Sequence, residues 1–331
     1  MTVLYGDLFD YPLTKDEIQR YLVTAGSQSE IEASLGDLQA RFLSEQDGLY
    51  CLRGREATIA TRKQRRQMAA ERWPQALRFG RWLSRVPFLR MVAVCGSQAM
   101  ENGDRDGDID LFLITAPGRL WLVQSLTMTL RRAGHWLGVE LCPNYLLTTR
   151  TLQLSERNLY TAREVAQVMP LWGEDAYGDF QAANSWVASF LPQREPSDRC
   201  RWLTERPRHR TTAVLEWLLG GVLGDALDRG IHRLLLVYYR LRLRRHGWGR
   251  EQIERRYQRE RQTVITGGFA TAVSRRFIDR GCDVLAGAVS RDELERCFFG
   301  SSERTAASQP NREEPDPLYA GLLATRYGGG Q

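Results

Sequence analysis

The spacing of apolar residues along the chain changes period several times, and each change marks an element. Near the start, Ile18, Tyr21 and Leu22 form an apolar stripe behind Thr14, whose third following residue is Glu17. That combination is a capping-box pattern and predicts a helix start. Ile31, Leu35, Leu38 and Phe42 place a second helix over Glu30–Phe42. Gln46-Asp47-Gly48 then signals a turn, and Leu49-Tyr50-Cys51-Leu52 a strand. Residues 55–85 read as one long amphipathic helix, basic in its first half and carrying Trp73, Leu77, Trp82 and Leu83 later. Pro74 is expected to kink or restart it, and Pro87 to end it.

From Met91 the period alternates between strand and helix. Met91–Cys95 is a strand ending in Gly96-Ser97, and Ile109–Ile114 is a second strand. Arg119–Gly134 is a helix with Leu120, Val123, Leu126 and Leu130 on one side, and Val139–Leu147 contains a third strand. This order predicts an α/β (α+β) core, a mixed sheet with flanking helices. Residues 151–195 read as mostly helical. Residues 211–261 read as long helices broken near Gly220-Gly221 and Gly247. Residues 300–317 are polar and proline-containing, a disordered composition. Leu318–Tyr327 regains apolar residues, enough to dock as a short helix on its own domain or on a protein partner. The expected organisation is a winged-helix-like unit at 1–54, a linking helix at 55–87, the core at 88–195, a basic helical region at 196–299 and a tail at 300–331.

Composition narrows the class. With 331 residues and 43% apolar content, the chain can bury real cores. No run reaches the roughly 18 uncharged apolar residues of a membrane span. The N-terminal MTVLYGDLFDYPLT lacks a basic start followed by an apolar run, so it does not read as a signal peptide and points to the cytoplasm. The six cysteines and four histidines are dispersed with no C-x-x-C pair, which argues against structural zinc. Net charge is +6, and the excess is local: Arg201–Arg261 holds fifteen arginines against seven acids, and Arg53–Arg72 is a second basic stretch. Such blocks either meet phosphates, of a nucleotide or of nucleic acid, or form a solvated face.

The segment that carries chemistry is VAVCGSQAMENGDRDGDIDLFLIT, residues 92–115. Glycine at 96 lets backbone approach a phosphate, and Ser97 offers a hydroxyl to its oxygens. Asp108 and Asp110, two apart at the opening of a strand, project to one face while Ile109 and Leu111 face the core. Two carboxylates side by side repel unless a cation lies between them, and hard oxygen ligands suit Mg²⁺, or Mn²⁺, with positions left for substrate phosphates. These parts fit nucleotidyl transfer from an NTP, with metal ions helping the attacking hydroxyl and the leaving pyrophosphate. Asp104 and Asp106 read as exposed turn residues.

Val94-Cys95-Gly96-Ser97 and Asp108-Ile109-Asp110-Leu111 match the polymerase-β nucleotidyltransferase superfamily in type, order and spacing, and the chain resembles that family over about 25 residues. The segments LCPNYLL (141–147) and RNLYTA (157–162), with Asn184-Ser185-Trp186, are similar to bacterial nucleotidyltransferase-domain proteins. The resemblance implies catalytic and metal-binding roles for Asp108 and Asp110, and triphosphate binding at Gly96 and Ser97. It also implies a third acid on a later strand, for which Glu140 in Val139-Glu140-Leu141 is the match. Arg157, Tyr160 and Arg163 either face the nucleotide or serve packing. Asn184 and Trp186 read as a buried tryptophan with an asparagine cap, or as base contacts. Cys95 and Cys142 read as core thiols, and His135 as a helix-end residue.

Two other functions fit the same residues. The chain could be a nucleic-acid-binding regulator, using the N-terminal unit and basic helices with an inactive or sensing transferase fold. Against this, the expected recognition helix carries Glu30, Glu32 and Asp37 with only Arg41 to meet phosphates. Alternatively it adds AMP to a protein, as in enzymes of toxin–antitoxin type, with Leu318–Tyr327 docking the partner.

Overall fold

The computed structural model describes residues 1–104, 107–194, 210–245, 247–263 and 267–300. The N-terminal unit runs α1 (Thr2–Asp7), β1 (Leu13–Thr14), α2 (Lys15–Arg20), α3 (Gln28–Arg41), β2 (Leu43–Gln46) and β3 (Leu49–Leu52). Thr14 caps α2 as expected: its hydroxyl accepts from the Glu17 amide at 3.2 Å, and Glu17 Oε2 accepts from Thr14 N at 2.9 Å. Such a cap contributes about 1 kcal/mol. Ser27 and Glu30 repeat the device at the start of α3. Asp47 and Gly48 both have positive φ, 58° and 75°, as a two-residue hairpin loop requires. β2 and β3 therefore pair antiparallel, and β1 joins the far side of β3 to give the order β1-β3-β2.

α4 (Ala57–Leu83) follows as one 27-residue helix. It runs through Pro74 without restarting. Proline removes one backbone hydrogen bond, but Ile59, Arg62 and Ala69 before it and Ala76, Phe79 and Leu83 after it are buried, which holds both halves in place.

The central part contains β4 (Leu89–Val94), α5 (Gly96–Ala99), β5 (Ile109–Thr115), α6 (Leu120–Trp136), β6 (Leu141–Thr148), α7 (Leu159–Gln167), β7 (Met169–Trp172) and α8 (Glu174–Ala183). A 3₁₀ turn at Ser185–Ser189 closes this stretch. α9 (Arg210–Leu218), α10 (Val222–Arg244), α11 (Arg250–Arg256), β8 (Arg261–Thr263), α12 (Gly267–Val284) and α13 (Arg291–Phe299) complete the described chain. The sheet order is β7-β4-β5-β6-β8. β5 and β6 are parallel across α6, and the other neighbours are antiparallel. The fold is therefore mixed α/β, with an open mixed sheet.

Two strands of the central sheet escape sequence reading. β7 lies in a stretch expected to be mostly helical. It sits at the sheet edge, where Pro170 is tolerated because the outer side needs no ladder bond. β8 arises in the region expected to be basic and helical, pairing with β6 so that Tyr145 faces Thr263. Three residues beginning with an arginine carry too little alternation to announce a strand.

Strand alternation divides the core in two. Val92, Val94, Leu111 and Leu113 pack on α4, α6 and α10, against Phe79, Trp121 and Leu243. Met91, Ala93, Phe112 and Ile114 pack on the other side, with Tyr5, Leu159, Phe180, Phe277 and Phe298 from the N-terminal unit, α7, α8, α12 and α13. Among the described residues no helix is long and apolar enough to cross a membrane. Asp106 and residues 301–331, including the Leu318–Tyr327 segment, lie outside the described residues.

Candidate active site

β4 ends at Val94, and the chain turns at Gly96 into α5. Gly96 has φ +61°, and a Cβ there would lie 2.4 Å from Asp110 Oδ2. Glycine alone both adopts the left-handed turn cheaply and leaves room for that carboxylate. Cys95 N donates to the Asp110 carbonyl at 3.0 Å, which ties the end of β4 to the start of β5.

Asp108 and Asp110 share the strand parity of Phe112 and Ile114, so they belong to the side covered by the N-terminal unit. They are 5% and 1% exposed. A carboxylate oxygen from each, together with Cys142 Sγ, lies within 4.8 Å of the others. Register brings the sulfur there, because Asp110 lies opposite Cys142 on β6. The register then shifts: Pro143 faces Leu111 and Tyr145 faces Phe112, leaving Asn144 as the extra residue of a bulge. Asn144 Nδ2 donates to Asp110 Oδ1 at 2.6 Å, and Asn144 Oδ1 accepts from the Cys142 thiol at 3.2 Å.

Glu140 does not join this cluster. Ile109 N donates to its carbonyl at 2.8 Å, so its backbone stands at the mouth of β6. Its side chain pairs with His135 Nδ1 at the end of α6 and is 40% exposed. Strand parity favours the side of Asp108, but the contact with His135 at the helix end draws the carboxylate toward solvent. The β6 side chains beside Asp110 are Cys142 and Asn144.

Gly96, Ser97 and Asp110 line a cleft of about 620 Å³. Its other walls are α1 with the loop to Tyr11, α7 and α12. The N-terminal unit is thus part of the site. Asp7 on the cleft wall is held by Arg55 at 2.8 Å and Arg280 at 3.0 Å. The loop after α5 is pinned from two sides: the Tyr11 hydroxyl donates to the Met100 carbonyl at 2.9 Å, and Arg62 Nη1 to the Glu101 carbonyl at 2.6 Å. Arg62 also meets buried Glu17 at 3.2 Å. Burial, then the neighbouring Glu17 carboxylate, raises the Tyr11 phenol pKa well above its ordinary value. Arg65 pairs with Asp104 at 3.1 Å, and Arg72 donates to the Asp104 carbonyl at 3.1 Å. Much of the basic stretch 53–72 therefore binds the chain's own acids and carbonyls.

α7 supplies one wall of the cleft. Asn158 caps it, accepting from Thr161 N at 2.9 Å, and Tyr160, Arg163, Glu164 and Gln167 all reach the cleft. Their spacing is one helix face, and that periodicity is the signal by which Glu164, which sequence reading missed, could have been found. Arg163 is buried with its guanidinium carbon 4.4 Å from the ring centroids of both Tyr5 and Tyr21. Its Nε and Nη2 have no hydrogen-bond partner among the described residues, and burial lowers its pKa. Burial first, then Glu164, raises the Tyr145 phenol pKa well above its ordinary value. Arg157 is exposed and outside the cleft lining. Asn184 is structural: its oxygen accepts from Leu154 N at 2.8 Å and from Trp186 Nε1 at 3.2 Å.

No protein-family model matches the chain, and no curated protein or solved structure matches it either.

Proposed function

We propose that this chain is a divalent-metal-dependent nucleotidyltransferase, moving NMP from an NTP to a hydroxyl or phosphate acceptor and releasing pyrophosphate. The observation that carries the reading is a close pair of buried carboxylates, Asp108 and Asp110, of which Asp110 lies against the Gly96 turn and lines the cleft. Buried carboxylates this close repel, and a cation relieves them. The donor set fits: Asp108 and Asp110 would hold Mg²⁺ or Mn²⁺, with Cys142 Sγ near enough to take part. A bound metal supplies positive charge to phosphate oxygens.

The chain's own groups do the rest. Ser97 offers its hydroxyl to the triphosphate from the cleft wall. The acceptor oxygen bonds to the α-phosphorus as the bond from that phosphorus to the bridging oxygen breaks, and pyrophosphate leaves with the electron pair. The acceptor proton passes to a cleft carboxylate. We assign this to Glu164, which lines the cleft with Asp110 on the face of α7, in the role that family resemblance gave Glu140. Positioning and charge, not covalent chemistry, carry the rate.

The order of helices and strands at the N-terminus, with sheet order β1-β3-β2, supports a winged-helix reading of that unit. α3 is acidic where DNA phosphates would lie, and α1 walls the cleft, so we assign the unit to shaping the site. Labelled NTPs incubated with the chain and Mg²⁺ or Mn²⁺ test the reading. Metal-dependent pyrophosphate release that disappears in Asp108→Ala/Asp110→Ala supports it, and release at the wild-type rate in that variant overturns it. Label appearing on a protein band in lysate selects AMPylation, and label on RNA or a small molecule selects those acceptors. Salt-dependent duplex binding without catalysis selects the regulator.

A further inference from the structure

α10 turns an apolar seam toward solvent. Leu223, Leu227, Gly230, Leu234, Val237 and Leu241 follow one another at alternating steps of four and three residues, the 3.5-residue repeat of a coiled coil. Leu223, Leu234 and Leu241 are 67%, 71% and 64% exposed. The corner between α9 and α10 adds Trp217 and Val222, each 80% exposed. The fold uses the other side of α10. Asp228 Oδ1 accepts from the Trp121 and Leu122 amides at 2.9 Å each, and Tyr239 stacks on Tyr257 at 4.1 Å. These contacts hold α10 with its seam outward, on the sheet face opposite the cleft.

Scattered exposed leucines are ordinary, but a continuous stripe of this length is not. At roughly 1.5 Å per residue the seam runs about 27 Å. With the corner, it offers an area on the order of the 800 Å² that each partner buries in a stable interface.

We propose that a second copy of this chain covers the seam, α10 packing on α10 in parallel about a two-fold axis. A strict 3.5-residue stripe suits another helix better than a membrane, which takes a broader apolar face. Gly230, at mid-seam, has nothing within 4 Å of where a Cβ would stand, so two helices can approach closely there. In parallel pairing, flanking positions five residues apart meet, which sets Arg233 over the ring of the second copy's Tyr238. Antiparallel pairing about the seam's middle sets Arg233 against Arg233 and leaves the two Trp217–Val222 corners at opposite ends, uncovered. Parallel pairing joins them. Both clefts stay open, and the pairing does not depend on the reaction proposed above.

Light scattering after size exclusion of the full chain is expected to give twice the chain mass of 37.9 kDa. Leu227→Arg/Leu234→Arg is expected to give the single-chain mass with an unchanged circular dichroism spectrum. Leu241→Cys reads orientation, since like positions at the end of the seam meet only in a parallel pair. Copper phenanthroline with oxygen would take two electrons and two protons from the paired thiols and link the copies, while wild type stays unlinked. A single-chain mass for wild type at tens of micromolar overturns the proposal. So does a doubled mass that survives the double substitution, or a single chain that sediments with phosphatidylglycerol vesicles instead of pairing. Failure of Leu241→Cys to cross-link overturns the parallel arrangement.

Discussion

The Asn144 side-chain amide stands between Asp110 and Cys142, donating 2.6 Å to the carboxylate and accepting 3.2 Å from the thiol. One side chain therefore orients two of the three groups that could ligate a metal. A partner of this kind sets which lone pairs a ligand presents and commonly accounts for about 10–100-fold in metal affinity. Asn144→Leu is expected to fold and to bind Mn²⁺ about 10–100-fold more weakly, measured by calorimetric titration of metal-free chain. Wild-type affinity in that variant would mean the amide serves packing alone.

Cys142 brings sulfur to a site that otherwise offers oxygen. Sulfur favours softer ions over Mg²⁺. Cobalt(II) is expected to give a thiolate-to-metal charge-transfer band in the near ultraviolet, absent in Cys142→Ser and present in Cys95→Ser. If wild type binds cobalt with no such band, Cys142 is not a ligand, and the two carboxylates stand without it.

Gly96→Ala tests the turn. The new Cβ would sit 2.4 Å from Asp110 Oδ2, at a backbone with φ +61°. The left-handed conformation alone costs alanine roughly 1–2 kcal/mol, and the carboxylate must also move. Metal-dependent pyrophosphate release is expected to fall at least about 100-fold, a difference of some 2.7 kcal/mol in barrier, with a lower melting temperature. An active Gly96→Ala would separate Asp110 from the chemistry.

Glu140 and Glu164 make opposite predictions. Glu140 pairs with His135 away from the carboxylate cluster, whereas Glu164 lines the cleft with Asp110. Glu164→Gln is expected to reduce turnover by about 10²-fold, the lower end of what a positioned acid or base supplies, and Glu140→Gln to change it less than about two-fold. The reverse result would falsify the assignment of Glu164 and return Glu140 to the site.

The Arg62–Glu17–Tyr11 network joins the N-terminal unit to the loop after α5. Arg62 and Glu17 side chains are 4% and 9% exposed. Removing one partner of such a buried pair strands the other charge and costs about 3–5 kcal/mol, so Arg62→Met is expected to lower the urea midpoint sharply. Tyr11 adds a pH signature. Its folded-state pKa is raised, so its contribution is complete below the unfolded phenol's value of about 10 and is lost as pH rises toward the folded value. Tyr11→Phe is expected to flatten the alkaline loss of stability without removing it, because Tyr145 is shifted the same way.

Local pattern foretold most of the elements near the site. The Thr14–Glu17 cap, the Asp47-Gly48 turn, the strands flanking Gly96 and the breaks at Gly220-Gly221 and Gly247 all depend on neighbours within a few residues. β7 and β8 stayed hidden because they are short and owe their existence to an edge already present. The Glu140 side chain turns from the cluster for a related reason: its place just before β6 was legible, but a helix end five residues upstream in sequence competes for its side chain.

That Asp108 and Asp110 share a face follows from the two-residue period of any strand, whatever surrounds it. Which side chains stand beside them follows from strand register, a bulge at Asn144 and the packing of α1, α7 and α12, none of which leaves a mark on local spacing. Periodicity acts over a few bonds. The neighbours of Asp110 come from 14 to more than 100 residues away, and only folding brings them near.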